Sequence, residues 1–482
     1  MPAHESEVLR ARHQGRGDRA PDPSRRASGT SAVDQRRVLL GGCAGGDRPA
    51  QGVLLAHLCR LPGCRLERSC ARAGRQQPHN PAAIGIHRTG TAETRAPGRT
   101  RLTHSREPAV WRNLGAAGLA WFLLVAFVLT AGVVVVQPLR AELLDNDLTL
   151  IYIGARIGVE HGWSHIYSLP LQHGLFAQLR PEAVFNDGAR FLSPPPYAWL
   201  VLPLSLLGAS GAVIVWLGIS LVALFGAWWV AAPGGSRWRV LWLLGALAWY
   251  PLLYGFRLAQ PDLVILFIVA AAWRLAEARK PYVAGMVLGL AVIKPQLTLL
   301  LPVALMMAGR WRIAVAWAGT AAVLAVASLA VIGGQGLGDY TTLLGEAQLV
   351  ANNRYFTPAY VLGPGALSYL AQGIVVAATV VGAYANRHAG DARIFALGLV
   401  ASAIGATYWH LQDFTVIVLA AWLFWRDQPP AWQRWWLLVV VIGGEFAWGL
   451  TPLPILVGLL VWFVCLLAPA RHRASSAFAA SA

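Results

Sequence analysis

Charge is scarce in this chain. Only 13% of its 482 residues are Asp, Glu, Lys or Arg, against 56% hydrophobic, a balance far from that of soluble proteins. Lysine is almost absent, with Lys280 and Lys294 the only two, and Arg carries nearly all the positive charge. Of the five cysteines, Cys43, Cys59, Cys64 and Cys70 fall in the N-terminal stretch. Their spacings match no common zinc pattern, so they are read as incidental and reduced. There is no Walker loop, no glycine-rich dinucleotide fingerprint after a strand and no His-Glu-x-x-His pair, which argues against a nucleotide-using site on the cytoplasmic side. Strictly alternating apolar stretches are also missing, and this excludes a closed β-barrel.

What is present instead is a series of continuous apolar runs of spanning length, starting at Leu114. They predict a polytopic helical membrane protein, with helices over 114–136, 211–232, 240–254, 263–278, 313–332, 366–385, 394–406, 414–425, 435–447 and 453–467. Basic clusters punctuate them at Arg237/Arg239, Arg279/Lys280, Arg310/Arg312, Arg387/Arg393, Arg426/Arg434 and Arg471/Arg473. If these clusters face the cytoplasm, the outer linkers are 145–193, 256–262, the Lys294 turn, 333–365, 407–413 and 448–452. The residues most in need of explanation then share one face. The net charge of +17 belongs largely to the N-terminal stretch and the short inner loops, so nucleic acid is not expected as a partner. Residues 1–107, rich in Arg, Gly, Pro and Ser, are expected to be a disordered cytoplasmic tail, for which an upstream mis-set start would account. Their apolar patches are too short for a secretory signal. The catalytic domain is expected over 108–470, with a short cytoplasmic tail from 471 to 482.

Two stretches complicate this topology. Residues 194–208 are apolar, yet a crossing there would invert everything downstream, so a short helix that dips into the membrane and returns is expected. Residues 282–308 are too few for two crossings of about 20 residues each. Basic residues at both ends favour a hairpin of short helices turning at Lys294-Pro295, with a single proline-kinked span as the rival.

Asp145 and Asp147 emerge just after the first apolar run, where acidic groups are costly unless they face water or do chemistry. One of them could cap the following helix, while Asp147 suits a general base. Lys294 lies between apolar runs with no carboxylate nearby in sequence, so it needs an anionic partner or a wet cavity, a phosphate being the preferred partner and snorkelling to the interface the alternative. Arg257 and Gln260 occupy a predicted outer turn, where Arg257 breaks the positive-inside trend and suits phosphate binding, with a lone interfacial arginine as the equal alternative, and Asp262 is read as a cap of the next helix. His410 and Asp413 have helical-turn spacing and could hold a metal or orient sugar hydroxyls; a capped helix start and an interfacial histidine stand beside that reading. Arg354 and Tyr355 are weaker candidates. Tryptophan, at 21 residues, is read mainly as an interfacial belt.

The segments Asp147-Leu-Thr-Leu-Ile-Tyr-Ile-Gly-Ala-Arg, Tyr167, Phe191-Leu-Ser-Pro-Pro-Pro-Tyr-Ala, Arg257-Leu-Ala-Gln260, Ala284-Gly-Met-Val-Leu-Gly-Leu-Ala-Val-Ile-Lys-Pro295 and Gly309-Arg-Trp-Arg312 together resemble bacterial glycosyltransferase family 87. The likeness is good from 145 to about 333 and looser beyond. The long Arg-rich tail departs from the family, and the run Pro194-Pro-Pro196 leaves open which proline corresponds to the family's. The resemblance implies the GT-C fold, an all-helical membrane protein with about 12 transmembrane helices and a large first extracytoplasmic loop. It implies a polyprenyl-phosphate-mannose-dependent mannosyltransferase in the bacterial cell membrane, acting extracytoplasmically on a glycolipid or glycan acceptor. In this chain it implies Asp147, with Asp145, as the catalytic carboxylates, and Lys294, Arg257 and Gln260 beside the donor phosphate. His410, Asp413 and Tyr152 are candidate substrate or metal contacts, and a divalent cation as cofactor is left open. A lipid-linked sugar transporter or flippase is the rival class, weakened by the lack of an internal repeat, and a non-catalytic assembly subunit is a third.

Overall fold

A computed structural model describes residues 109–185 and 190–469, and the expectations placed on residues 1–107 and 471–482 lie outside the described residues. Every regular element among the described residues is helical. In chain order the principal helices are α1 (Ala109–Ala131), α2 (Asp147–Glu160), α3 (Leu169–Leu179), α4 (Pro195–Val201), α5 (Gly208–Ala231), α6 (Ser236–Ala248), α7 (Tyr250–Arg257) and α8 (Asp262–Glu277). They are followed by α9 (Pro281–Gly289), α10 (Leu301–Met307), α11 (Trp311–Leu349), α12 (Ala366–Ala385), α13 (Asp391–Gly405), α14 (Thr415–Arg426), α15 (Ala431–Phe446) and α16 (Leu453–Leu467).

By length and composition, Gly115–Ala141, Pro195–Ala231, Trp311–Leu349 and Ala366–Ala385 could each cross a membrane; the pair α6–α7, bent by 63°, makes a fifth if counted as one span. Several other apolar helices fall short of the roughly 20 residues a crossing needs, so this measure marks fewer than the expected dozen. The flanks are apolar: Trp121, Phe122 and Leu129 on α1 are all about two-thirds exposed, as expected of side chains that meet lipid rather than water. The centre is the reverse. Helices α13 and α14 are apolar on all sides and buried along nearly their whole lengths, as befits inner helices of a bundle.

Breaks occur where the sequence permits them. Gly333 interrupts α11 with φ +63°, and Gly208, at φ +71°, separates the short α4 segment with its 3₁₀ extension from α5. Both conformations are open to glycine and costly for other residues. The first falls at the end of the helix predicted over 313–332, and the second at the end of the segment predicted to dip and return. Helix α9 packs on α11 with both running the same way. A Cβ on Gly285 would lie 2.3 Å from Ile313 O, and one on Gly289 would lie 2.5 Å from Thr320 Cβ. Two glycines four apart are what such a close approach requires. Because α9 and α11 start at the same level, α10 must return between them, which is the hairpin turning at Lys294-Pro295 and not the single kinked span.

The chain thereby acquires two unlike ends. At one, arginines close helix termini: Arg310 pairs with Asp391 at 2.9 Å, Arg393 with Asp427 at 2.8 Å, and Arg426 donates to Ala231 O at 2.7 Å. At the other, the predicted outer linkers meet. Tyr254, Tyr355 and Phe356 ring the Trp448 indole at 6.2–6.3 Å, and Asn353 contacts His410.

Candidate active site

The polar segment after α1 is folded back by its own side chains. Tyr167 stacks on Phe191 at 5.4 Å and donates to Ser193 O at 2.9 Å, while Gln172 Oε1 accepts from Phe191 N at 2.9 Å. Phe191 lies so close to α2 that a Cβ on Gly154 would sit 2.8 Å from its ring. Gly154, Tyr167 and Phe191 thus hold the segment in place, and α2 is presented with its N-terminus towards the α7–α8 turn, where Asp147 N donates to Leu258 O at 3.0 Å.

At that N-terminus the capping position belongs to Asn146, whose side chain accepts from Thr149 N at 3.2 Å. Neither aspartate is needed as a cap. Half-buried Asp147 turns its Oδ2 to Gln260 Nε2, which donates to it, and Gln260 Oε1 in turn accepts from Lys294 Nζ at 3.0 Å. Lys294 also reaches Asp262 Oδ1 at 2.7 Å and Asp413 Oδ1 at 2.5 Å. Asp413 Oδ2 accepts the backbone N–H of His410 at 2.9 Å. The His410 ring is fixed at both nitrogens: Nε2 donates to Asn353 Oδ1 at 2.9 Å, and Nδ1 accepts from Gln412 Nε2 at 3.3 Å. This is the neutral tautomer, and burial favours it by pulling the imidazole below its ordinary pKa. Segments distant in sequence therefore converge on one chain of contacts running Asp147–Gln260–Lys294–Asp413–His410–Asn353.

A second cluster adjoins it. Arg257 Nη2 donates to Asp145 Oδ2 at 2.7 Å and Arg180 Nη2 to Asp145 Oδ1 at 3.1 Å, with Arg180 also paired to Glu142. Arg257 Nε is buried without a hydrogen-bond partner among the described residues.

The two clusters differ in electrostatics. Lys294 is the cation paired with the buried carboxylates of Asp262 and Asp413, and Gln260 links it to half-buried Asp147. Enclosure pushes the Asp147 carboxyl above its ordinary pKa, against the opposing pull of the Gln260 bond and of the Lys294 and Arg257 charges.

Seven of the sequence-derived candidates, Asp145, Asp147, Arg257, Gln260, Lys294, His410 and Asp413, come together here. Tyr152 does not join them: it is buried, and its hydroxyl accepts from Arg156 Nη1 at 3.3 Å. Arg354 lines a separate cavity of about 130 Å³, and Tyr355 packs on Trp448. The expected cap role of Asp262 gives way to an ion pair, since its helix has no side-chain cap. Sequence reasoning missed Asn353 and Arg180; for Arg180 the signal was an acidic Glu142–Asp147 stretch with too few nearby cations. Among the described residues no three His, Cys, Asp or Glu side chains gather in a metal-binding group.

The described residues form a bundle of apolar helices, several long enough to cross a membrane, with a carboxylate, a carboxylate-bound lysine and a half-buried arginine pair gathered at one end, the build of a membrane protein with a polar site. The model of glycosyltransferase family 87 matches residues 191–442, more than half of the chain, and the chain belongs to that family. The matched stretch begins later than the likeness read from the sequence and runs further towards the C-terminus. It includes Arg257, Gln260, Asp262, Lys294, His410 and Asp413, whereas Asp145, Asp147 and Tyr152 precede it. No curated protein and no solved structure matches the chain.

Proposed function

We propose that the protein transfers a hexose, mannose by family resemblance, from a polyprenyl-phosphate donor to a glycolipid or glycan acceptor on the extracytoplasmic face of a bacterial cell membrane, with inversion. The observation that carries this reading is the junction of Asp147 with Lys294 through Gln260, directly beside the Arg257–Asp145–Arg180 cluster. Asp147 takes the proton from an acceptor hydroxyl as its oxygen bonds to the anomeric carbon. The bond from that carbon to the phosphate oxygen breaks, and polyprenyl phosphate leaves with the electron pair. A carboxylate whose pKa is raised towards the working pH is a better base than an ordinary one.

The developing negative charge on the leaving phosphate falls to the arginines. Lys294 is already neutralised by Asp262 and Asp413, so we assign it to holding Gln260, and through it Asp147, in position. Arg257, with an unused buried N–H, and Arg180 are the groups whose forked geometry suits a phosphate. Such preorganised charge stabilisation is where most of the rate enhancement would arise.

The test is to incubate membranes holding the full chain with labelled polyprenyl-phosphate sugars and follow which label moves to lipid or glycan. Asp147→Asn should abolish that movement while the protein still inserts and folds. Undiminished transfer by Asp147→Asn rejects the base assignment, and no movement of any polyprenyl-linked label rejects the donor class.

A further inference from the structure

The basic end of the molecule holds a feature that the proposed chemistry does not use. Between the C-terminus of α5, the start of α6 and the ends of α8 and α14 lies a cavity of about 400 Å³ lined by Trp229, Val230, Arg239, Trp273, Arg274 and Arg426. Its size falls in the range of small-ligand sites. Arg239 lies over the Trp228 and Trp229 rings at 5.4 and 5.1 Å, and its Nη2 donates to the carbonyl oxygens of the same two residues. Its Nε is buried and has no hydrogen-bond partner among the described residues. Arg426 lies 5.1 Å over Trp273 and donates to Ala231 O and Ala232 O at 2.7 and 3.0 Å. The other charges acting on Arg426 are Arg239 and Arg274, which repel it, and Glu277, which attracts it. Two like charges and one opposite charge thus act on the Arg426 guanidinium, a repulsion that an added anion would relieve.

Three further features point to the kind of anion. Guanidinium forks match phosphate oxygens in pairs. Trp229, at 69% exposed, gives the cavity the aromatic rim that amphipathic indoles form at a membrane–water boundary. Basic pockets between membrane helices are, as a physical class, seats for anionic lipid headgroups. We propose that this cavity binds the phosphate of an anionic phospholipid, with Arg239, Arg274 and Arg426 on the phosphate oxygens and the acyl chains leaving past Trp229. The site is separate from the candidate active site and does not depend on the catalytic reading.

The experiment uses the full chain in neutral nanodiscs titrated with phosphatidylglycerol, reading thermal unfolding and, by native mass spectrometry, retained lipid. Phosphatidylcholine and inorganic phosphate serve as parallel titrants. A saturable gain with phosphatidylglycerol is expected, weakened roughly tenfold by Arg274→Gln, the loss of one charge-assisted contact, and removed by the Arg239→Gln/Arg274→Gln pair. Asp147→Asn should bind the lipid normally. Equal gain from phosphatidylcholine, or binding unchanged in the arginine variants, overturns the proposal. Inorganic phosphate reproducing the full shift overturns the lipid assignment in favour of a free-phosphate site. Should the Arg239 variant not fold, Arg274→Gln alone, changing an exposed side chain, still decides the matter.

Discussion

Replacing Lys294 by Met separates two roles for that residue, a ligand of substrate phosphate and a counter-ion for buried carboxylates. Its Nζ stands 2.7 Å from Asp262 Oδ1 and 2.5 Å from Asp413 Oδ1, and these carboxylates are 1% and 0% exposed. With an effective dielectric of about 20, each contact is worth about 6 kcal/mol of Coulomb attraction before desolvation is charged against it. Removing one partner of such a buried group costs about 3–5 kcal/mol, because the remaining charges are left uncompensated. Lys294→Met should therefore lower the stability of the detergent-solubilised protein by that amount, read from its thermal unfolding with no substrate present. Adding Asp262→Asn restores the wild-type charge count around Asp413 and should recover a large part of the loss. A pure phosphate ligand behaves differently: its removal leaves stability intact and raises only the KM for donor. Wild-type stability in Lys294→Met, or no recovery in the double variant, would refute the counter-ion argument.

The other predictions test neighbouring links. Because enclosure raises the Asp147 pKa and the base must be ionised, kcat should fall as pH drops through a value above the ordinary carboxylate range; a pH–rate profile with its acid limb at or below that range would count against it. Gln260→Leu cuts the bridge between Asp147 and Lys294, so kcat should fall by roughly ten- to a hundredfold with donor KM little changed, as for a positioning group. Arg257→Ala should instead raise donor KM, since it removes a phosphate contact, and steady-state kinetics on a labelled donor distinguish the two. A Cβ at Gly255 would lie 3.2–3.5 Å from Thr415 Oγ1, Gln412 Cβ and Asp262 Oδ2, so Gly255→Val should cost about 1–3 kcal/mol by overpacking, measured by unfolding.

Much of this arrangement was legible in the sequence because two signals are strong in a lipid solvent. The scarcity of charge makes each charged residue informative, so Asp147, Arg257, Lys294 and Asp413 stood out against the apolar runs between them. The distribution of Arg marked one end of the bundle, and the linkers left over at the other end do meet around Trp448, His410 and Lys294. The breaks at Gly208, Gly333 and Lys294-Pro295 followed from backbone chemistry. Pairing was not legible. Lys294 looked unaccompanied because its carboxylates are 32 residues before it and 119 after it in the sequence, and helical packing alone joins them. Asp262 was misread for a related reason, as an Asp opening a helix is locally a cap, and nothing nearby in sequence reveals a lysine approaching from another hairpin.

The separation of charge at the candidate site has a consequence for which substrate enters from where. The inner cluster places three carboxylates, Asp147, Asp262 and Asp413, around one lysine, and a phosphate brought into it would meet net negative charge. The outer cluster sets Arg257 and Arg180 against Asp145 and Glu142, whose side chains are nearly half exposed. An incoming phosphate can compete there with a carboxylate that water already screens. Asp145 then stands in for the donor phosphate while the site is empty, and Asp147, two residues along, remains on the inner side to receive the acceptor hydroxyl. On this account Asp145→Asn frees the arginines and lowers donor KM without touching the base, whereas Asp147→Asn abolishes turnover and leaves donor binding intact. Two acidic residues with a single residue between them and opposite kinetic signatures are hard to produce by any general disturbance of the loop. If both variants instead lose donor binding together, the division of labour between the clusters is wrong.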